Sequence, residues 1–334
     1  MSVFGTPPLR ADEAGAAEPL PYFPVEVAVP DLRPWMAGNT GTAGFTTRDS
    51  GAPGPHVGLV ALTHGNEIAG AIVLADLLAA GLTPARGRIT FGFANLDAFA
   101  RFDPGQPTAS RFVEEDLNRL WDASLLDGPG RTRELERARE IRPIVTTFDI
   151  LLDLHSMLWA SEPLLLSGPS AKGRRLAQLI GVPPLIVADT GHVSGRRLID
   201  DPHFADVDSP ACAVLVEAGQ HWAAATVETT RASVASLLRA LDMLGALPDG
   251  VLPAPSATPR ARYARVTQAV TAGTSAFSFV RPFHGGEVLP WADTLIALDG
   301  EREIRTPHDD CLLVMPSLRP SRGHTAVRLA RFEE

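Results

Sequence analysis

The sequence is poor in cysteine, and the two cysteines that it has are not paired along the chain. Cys212 and Cys311 are 99 residues apart and form no CxxC motif. This argues against a disulfide scaffold and against a thiolate zinc site. It fits a protein of the reducing cytoplasm.

Long apolar runs and blocks of like charge are also absent. No run reaches the length that spans a membrane, and the first twenty residues contain no apolar stretch behind a positive start. We therefore expect neither a membrane segment nor a signal peptide. The formal net charge is −9, with both signs interspersed. Because nucleic-acid binding needs a basic face, we do not expect a nucleic acid as the partner.

The sequence does contain enough apolar residues for a large core. It has 334 residues, of which 45% are hydrophobic. Residues 1–30 read as an N-terminal arm. Residues 31–246 alternate between strand-like and helix-like segments in the α/β manner, residues 247–262 form a Pro-rich linker, and residues 263–334 read as a smaller β domain.

The predicted strands and helices of the α/β part are short and well bounded. Strands are expected in 56–62, 88–95, 148–156, 184–190 and 212–220. A helix is expected in 67–80, a second in 133–144 with a break near Pro143, a third in 172–182 and a long one in 222–246.

Three polar side chains lie at or just beyond the ends of strands that are otherwise apolar. They are His64, His155 and Glu217. In open α/β sheets, ligands bind outside the carboxyl ends of the strands, so residues from distant segments converge there. A charged Glu217 inside VLVEAG needs a partner or a function to justify its position.

The spacing of His64 and Glu67 favours a metal site. They are three residues apart at a strand-to-helix turn, so their side chains can point the same way. His155 supplies a third group 88 residues after Glu67, at another strand end. Two imidazoles and one carboxylate are a common ligand set of catalytic zinc, whose fourth position is left to water.

A second unusual patch is RFVEEDLNRL, residues 111–120. It places Arg111, Asp116, Asn118 and Arg119 within nine positions. One interpretation is a solvated charged helix. The other is that one guanidinium polarises a carbonyl while an amide and a second guanidinium bind a carboxylate.

Taken together, four motifs resemble the succinylglutamate desuccinylase/aspartoacylase family, in the zinc carboxypeptidase clan. They are THGNE (63–67), R-x4-DLNR (111–119), DLHS (153–156) and VEAGQ (216–220), in the family's order and at similar spacing. The resemblance covers roughly residues 50–245, and the C-terminal part is similar to the family's β domain. It implies a zinc-carboxypeptidase-like mixed sheet flanked by helices, with a smaller C-terminal β domain.

The resemblance also implies roles for individual residues. His64, Glu67 and His155 match the ligands of one zinc ion per chain, and Glu217 matches the general base and acid. Arg111 matches the arginine on the scissile carbonyl oxygen. Asn118 and Arg119 match the pair that holds a substrate carboxylate. Asp116 and Asp153 lie inside the motifs and are expected either to contact the metal ligands or to have a structural role.

The sequence departs from the family at other substrate-binding positions. Aspartoacylases use a further arginine shortly before the catalytic glutamate, and tyrosines that close on the substrate. Here residues 203–216 contain no arginine, and Tyr22 and Tyr263 match neither tyrosine. Arg196 and Arg197 can substitute from an upstream loop or can be surface charges, so the acyl group and the amine are not predicted.

The predicted activity is zinc-dependent hydrolysis of the amide bond of a small N-acyl amino acid or a related carboxylate-bearing amide. One alternative is a zinc carboxypeptidase for short peptides, which an open pocket unobstructed by the C-terminal domain would favour. Another is a metal-binding or interaction protein without catalysis, against which Glu217 and Arg111 argue because metal binding needs neither. A homo-oligomer is left open.

Overall fold

The computed structural model describes residues 23–191, 194–255 and 260–333, which form strands and helices in alternation. The strands of this part of the chain are β1 (Phe45–Asp49), β2 (His56–Ala61), β3 (Arg88–Phe93), β4 (Ile150–Met157), β5 (Leu164–Leu166), β6 (Leu185–Ala188), β7 (Cys212–Gln220), β8 (Arg262–Thr271), β9 (Phe277–Phe279), β10 (Val288–Leu289), β11 (Leu295–Asp299), β12 (Arg302–Arg305), β13 (Cys311–Val314) and β14 (Thr325–Glu333). The α-helices are α1 (Ile68–Ala79), α2 (Leu96–Phe99), α3 (Ala123–Leu126), α4 (Arg133–Val145), α5 (Ala171–Ile180), α6 (Pro202–Ala205) and α7 (Ala224–Ala240). Short 3-10 helices span Arg33–Trp35, Leu117–Arg119 and Leu198–Asp200.

Most of the strands form one mixed sheet of eleven strands, in the order β1-β3-β2-β4-β7-β5-β6-β8-β14-β13-β10. Strands β3, β2, β4 and β7 are parallel to one another, whereas β1 and β5 pair antiparallel to their neighbours β3 and β7. The carboxyl ends of β2, β4 and β7 therefore meet at one edge of the sheet. This edge carries the polar residues picked out above.

Helices cover both faces of the sheet, which confirms the predicted architecture. In β4, Leu152 and Leu154 belong to an apolar cluster that includes side chains of α1, α5 and α7. Leu151, whose side chain points to the other face, belongs to a second cluster, which includes side chains of α4. This alternation is that of a strand buried on both faces, and it explains the nearly continuous apolar runs in the sequence.

The C-terminal strands extend the large sheet and also form a small sheet of their own. Strand β8 pairs parallel with β6, and β14, β13 and β10 follow by antiparallel pairing. Strands β12, β11 and β9 form a separate antiparallel sheet, and a third apolar cluster lies in this region. A smaller antiparallel β region is therefore present, while the domain boundaries proposed from the sequence remain a prediction.

Several element bounds differ from those expected. Helix α7 ends at Ala240 rather than at residue 246, because Asp242 has a φ of +54°, a conformation that cannot continue a helix. Helix α4 continues two residues past Pro143, close to the predicted break. Strands β1, β5, β9 and β12 were not predicted, since they are short and lack strong alternation.

The two segments expected to be irregular are only partly described. Of the predicted arm, residues 1–22 lie outside the described residues. The remainder is anchored, because Phe23 packs edge-on against Trp222 and Glu26 N donates to Trp222 O at 3.0 Å. Of the predicted linker, residues 256–259 also lie outside. None of the described helices is long and apolar enough to cross a membrane.

Candidate metal centre and active site

The first part of the site is the turn between β2 and α1. The strand ends at Ala61, and Leu62 then adopts a φ of +59°, which non-glycine residues rarely do. Gly65 packs so closely on α2 that a Cβ atom there would lie 2.5 Å from the carbonyl carbon of Ala98. The turn is therefore fixed on both sides, and it presents His64 and Glu67 at the end of the strand.

The second part of the site lies on β4 and β7. His155 lies near the carboxyl end of β4. This strand pairs with β2 on one side and with β7 on the other. In the β4–β7 register, His155 is the direct partner of Glu217. The parallel pairing thus brings together residues that are up to 153 positions apart in the sequence (217 − 64).

His64, Glu67 and His155 form a buried cluster around one carboxylate, with ligand atoms all within 4.8 Å of one another. Nδ1 of His64 lies 2.7 Å from Glu67 Oε1, and Nδ1 of His155 lies 3.0 Å from Glu67 Oε2. The three residues are each at most 4% exposed. Burial opposes ionisation of Glu67, but the charges and hydrogen bonds of the two histidines outweigh it and hold its pKa well below the usual range.

The opposite nitrogen of each imidazole is held by an aspartate. Nε2 of His64 lies 2.9 Å from Asp116 Oδ1, and Nε2 of His155 lies 2.9 Å from Asp153 Oδ2. Thr63 Oγ1 in turn donates to Asp153 Oδ1 at 3.1 Å. Nε2 of His64 also lies 2.8 Å from Arg111 Nη2. A carboxylate behind a ligating histidine orients the ring, so that the Nδ1 atom can face a metal.

This donor set fits a zinc ion. Zinc takes histidine nitrogens and carboxylate oxygens with bonds of about 2.0–2.2 Å, and it requires that these atoms converge. The Nδ1 atoms of His64 and His155 converge on the carboxylate of Glu67. One face of the cluster borders a cavity, which leaves room for a further ligand. The chemistry of the residues, their convergence and their aspartate partners all agree with such a site.

Glu217 lies beside the cluster and is only partly satisfied. Its Oε2 atom is buried and has no hydrogen-bond partner among the described residues. Burial, followed by the negative charge of Glu67, raises the pKa of Glu217 to about 8, although His155 and Arg111 act in the opposite direction. Because an unpaired buried carboxylate oxygen is costly, Glu217 is a candidate for a functional role.

Arg111 also reaches the cluster. Its Nη1 donates to Glu67 Oε1 at 3.1 Å and its Nη2 to Asp116 Oδ2 at 3.2 Å. The side chain is 36% exposed, so it faces both the cluster and the cavity. The charged-helix interpretation of residues 111–120 is wrong, since only the 3-10 turn Leu117–Arg119 is helical.

Asn118 and Arg119 border the same cavity, but parts of both side chains are already engaged. Asn118 Oδ1 accepts from Leu198 N at 2.8 Å, and Arg119 Nη1 donates to Asn118 O at 2.7 Å. The guanidinium of Arg119 lies 3.8 Å from Asp116 Oδ2. Asn118 thus joins two loops, and its predicted role in substrate binding remains a prediction.

The cavity has a volume of about 520 Å³, a size typical of small-molecule sites. It is bordered by His64, Glu67, His155, Arg111, Asn118, Arg119 and Glu217. The C-terminal part of the chain also lines it, with Met315, Ser317, Arg319, Pro320, Ser321, His324, Thr325 and Arg328. The C-terminal region therefore contributes to the lining of the cavity.

Arg196 and Arg197, whose roles the sequence left open, have different surroundings in the structure. Arg196 is 51% exposed and pairs with Asp122 at 3.1 Å. Arg197 is 3% exposed and borders the cavity, where it pairs with Asp189 at 3.2 Å and with Asp200 at 2.7 Å. Arg197 is thus the arginine of this pair that belongs to the site.

Arg328 was missed in the sequence. It lies on β14, is 8% exposed, borders the cavity and pairs with Asp189 Oδ2 at 2.9 Å. The available signal was a charged residue within the apolar run AVRLA, which is the signal that identified Glu217. It was not used because the run lies outside the four family motifs.

The comparisons with known proteins agree with this geometry. The protein-family model named succinylglutamate desuccinylase/aspartoacylase catalytic domain matches residues 53–241 of the sequence, more than half of the chain. The chain belongs to this family. Its two namesake activities are deacylations of N-acyl amino acids, which supports an enzyme of the amidohydrolase type.

Solved structures with the same fold include three that illustrate its range. Succinylglutamate desuccinylase from Vibrio cholerae has a TM-score of 0.64 at 18% identity, over 86% of this chain and 85% of that chain. The product-bound ectoine utilization protein EutE (DoeB) from Ruegeria pomeroyi has a TM-score of 0.59 at 17% identity, over 86% and 88%. An aspartoacylase family protein from Mesorhizobium loti has a TM-score of 0.58 at 17% identity, over 87% and 88%. No curated protein sequence matches the chain.

Proposed function

We propose that this protein is a zinc-dependent amidohydrolase that removes the acyl group from a small N-acyl amino acid or a related carboxylate-bearing amide. The observation that carries the proposal is the buried His64–Glu67–His155 cluster, with an aspartate behind each histidine and the unpaired carboxylate of Glu217 beside it. His64, Glu67 and His155 would hold one zinc ion per chain. Bound there, zinc would polarise the scissile carbonyl and lower the pKa of a water molecule towards ~7.

Glu217 acts as the general base and acid. It accepts a proton from the water that attacks the carbonyl carbon, and it delivers that proton to the amine nitrogen as the C–N bond breaks. The products are a carboxylic acid and a free amine. A carboxyl whose Oε2 atom has no partner among the described residues is suited to this exchange, because it is free to accept a proton from the water and to return it to the amine.

Arg111 stabilises the negative charge that develops on the carbonyl oxygen during the attack. Its guanidinium is supported by Glu67 and Asp116, so it is fixed before the substrate arrives. A preorganised donor of this kind typically contributes about 3–4 kcal/mol to the transition state.

Arg119, with Asn118, holds a carboxylate of the substrate. A planar guanidinium offers paired donors that match a carboxylate, and Arg119 borders the cavity close to Arg111 and Arg197. The basic side chains of this cavity favour an anionic substrate, although the whole chain is acidic.

A small acylated amino acid is favoured over a peptide by the shape of the cavity. Residues from Met315 to Arg328 close one side of it, whereas a carboxypeptidase needs an open groove for the rest of the peptide. The second alternative, a protein that binds metal without catalysis, gives no reason for the placement of Glu217 and Arg111.

The test is a panel of N-acyl amino acids and dipeptides, assayed with metal-free and zinc-loaded protein. We expect amine release from at least one N-acyl amino acid, with a higher kcat/KM than for any dipeptide and with loss of activity in the metal-free protein. A preference for dipeptides would replace the proposal with the carboxypeptidase. No turnover across the panel by fully zinc-loaded protein would leave metal binding alone as the function.

A further inference from the structure

Glu134 is a buried carboxylate that the proposed mechanism does not use. It lies in the first turn of α4 and is 1% exposed. A negative charge at this depth is stable only when hydrogen bonds replace its water. Three of those bonds come from the loop that carries Arg111 and Asp116.

The carboxylate of Glu134 receives hydrogen bonds from three consecutive backbone amides. Val113 N donates to Oε1 at 2.6 Å, and Glu114 N and Glu115 N donate to Oε2 at 3.1 and 3.3 Å. Asn95 Nδ2 adds a fourth bond to Oε1 at 3.1 Å. A carboxylate that accepts several amide hydrogens is a strong anchor for a backbone without regular structure.

Two side chains of the loop also accept hydrogen bonds from the start of α4. Glu114 Oε2 accepts from Arg133 N at 2.6 Å, and Glu115 Oε1 accepts from Thr132 Oγ1. Thr132 is also the N-cap of the helix, with its hydroxyl accepting from Leu135 N. The helix terminus and the loop are thus joined from both sides, which fixes residues 113–115 relative to the sheet.

The anchored amides lie between the two residues of the loop that touch the metal cluster. Arg111 precedes them, and its carbonyl accepts from Gly65 N at 3.0 Å. Asp116 follows directly and holds Nε2 of His64 at 2.9 Å. A shift of residues 113–115 would therefore move Asp116 away from His64 and Arg111 away from Glu67.

We propose that Glu134 is a positioning residue of the metal centre, which acts on His64 through Asp116 and on the carbonyl-binding position through Arg111. This inference rests on the proposed function, because it assumes that His64 is a metal ligand. Glu134 touches neither the cluster nor the cavity, so its effect must pass through the loop.

The test compares Glu134→Gln with Glu136→Gln. Both remove one negative charge from the first turn of α4, but Glu136 is exposed and makes no contact with the loop among the bonds of the described residues. In Glu134→Gln an amide nitrogen replaces one oxygen and faces a backbone N–H. We expect zinc affinity, measured by competition with a chelating dye, to fall about 10–100-fold, as typically follows loss of a partner behind a metal ligand. Glu136→Gln should bind zinc as the unmodified protein does.

A double-mutant cycle separates positioning from a general structural role. If Glu134 acts through Asp116, then Glu134→Gln in an Asp116→Ala background should weaken zinc binding by less than about 3-fold beyond Asp116→Ala alone. Losses that multiply in the double variant would overturn the proposal. So would a Glu134→Gln protein that binds zinc as tightly as Glu136→Gln.

Glu134→Asp keeps the inference testable if Glu134→Gln does not fold. It preserves the charge but shortens the side chain, so the carboxylate cannot reach all of its four donors. We expect zinc affinity between those of the unmodified protein and Asp116→Ala, with faster hydrogen exchange in residues 113–115. Unchanged affinity would contradict the inference. A failure of the proposed function is distinguishable, because it would appear in the unmodified protein itself, either as absent zinc binding or as zinc binding without turnover.

Discussion

The metal cluster and the cavity wall of this protein are built in different ways. The metal cluster (His64, Glu67 and His155) lies at the ends of adjacent parallel strands, and short motifs encode it. The cavity wall (Arg119, Arg197, Arg319, His324 and Arg328) comes from loops and from the last strand. The cluster is fixed by the sheet, whereas the wall depends on contacts between segments that are far apart in sequence.

This difference suggests which properties of the enzyme are set by which region. The sheet fixes where the cluster lies, so the same hydrolytic centre can be kept while the wall changes. We expect the wall to determine the size and charge of the substrate. Substitutions in the cluster should therefore abolish metal binding or chemistry, and substitutions in the wall should alter substrate affinity or local stability.

The largest effect is expected for His155→Ala. It removes one of three proposed metal ligands at a site that is at most 4% exposed, so zinc content should fall from about one equivalent per chain to near zero, and activity with it. Metal analysis of the purified protein measures this. His284→Ala, at an exposed position outside the cavity, should retain full zinc content. Full zinc occupancy in a double variant of His64 and His155 would show that this cluster is not the zinc site.

The next effect is expected for Glu217→Gln. The amide has nearly the same shape as the carboxylate but cannot accept a proton, which typically costs about 10²–10⁴-fold in turnover. Zinc content and the thermal unfolding midpoint should stay close to those of the unmodified protein. Turnover within a few-fold of normal would exclude Glu217 as the general base.

A third prediction compares Arg197, which belongs to the wall, with its exposed neighbour Arg196. Arg197→Gln breaks a buried network and leaves Asp189 and Asp200 without part of their compensation, so we expect a loss of about 3–5 kcal/mol in the free energy of unfolding. Arg196→Gln removes an exposed pair and should cost about 1 kcal/mol or less. Denaturant unfolding of both proteins gives the comparison. Equal losses would show that the wall is not fixed by Arg197.

The smallest effect is expected for Arg119→Lys. Lysine keeps the charge but not the planar paired donors, so KM should rise, by about 10-fold, more than kcat falls. A substrate whose carboxylate is converted to an amide should be nearly indifferent to the substitution. A variant that unfolds at a much lower temperature, yet keeps the same preference for the acid, would assign Arg119 to holding the loop through Asp116.

The same contrast explains what could be predicted from the sequence. Strands β2, β4 and β7 are apolar runs that end at polar residues, so their positions and the convergence of His64, His155 and Glu217 follow from local pattern and sheet geometry. Arg328 and Arg197 could not be assigned in this way. Their place in the cavity depends on the pairing of β6 with β8 and of β8 with β14, which brings Asp189 to both arginines.

The loop of residues 111–119 falls between these cases. Its motif identified Arg111 and Asp116, but its conformation has no periodic pattern. It is fixed by bonds to Gly65, Glu134 and Leu198, which are distant in the sequence and come from three different elements. The helix and strand propensities of residues 111–119 do not predict hydrogen bonds to such distant residues. The role proposed for Glu134 could therefore be inferred only from the structure.

The most direct test of the central claim is anomalous diffraction at the zinc edge from crystals of zinc-loaded protein. We expect one peak per chain, between Nδ1 of His64, Nδ1 of His155 and the carboxylate of Glu67. The peak should be absent in His155→Ala crystals treated in the same way. A peak elsewhere, or no peak at full zinc loading, would contradict the claim that this cluster is the metal centre.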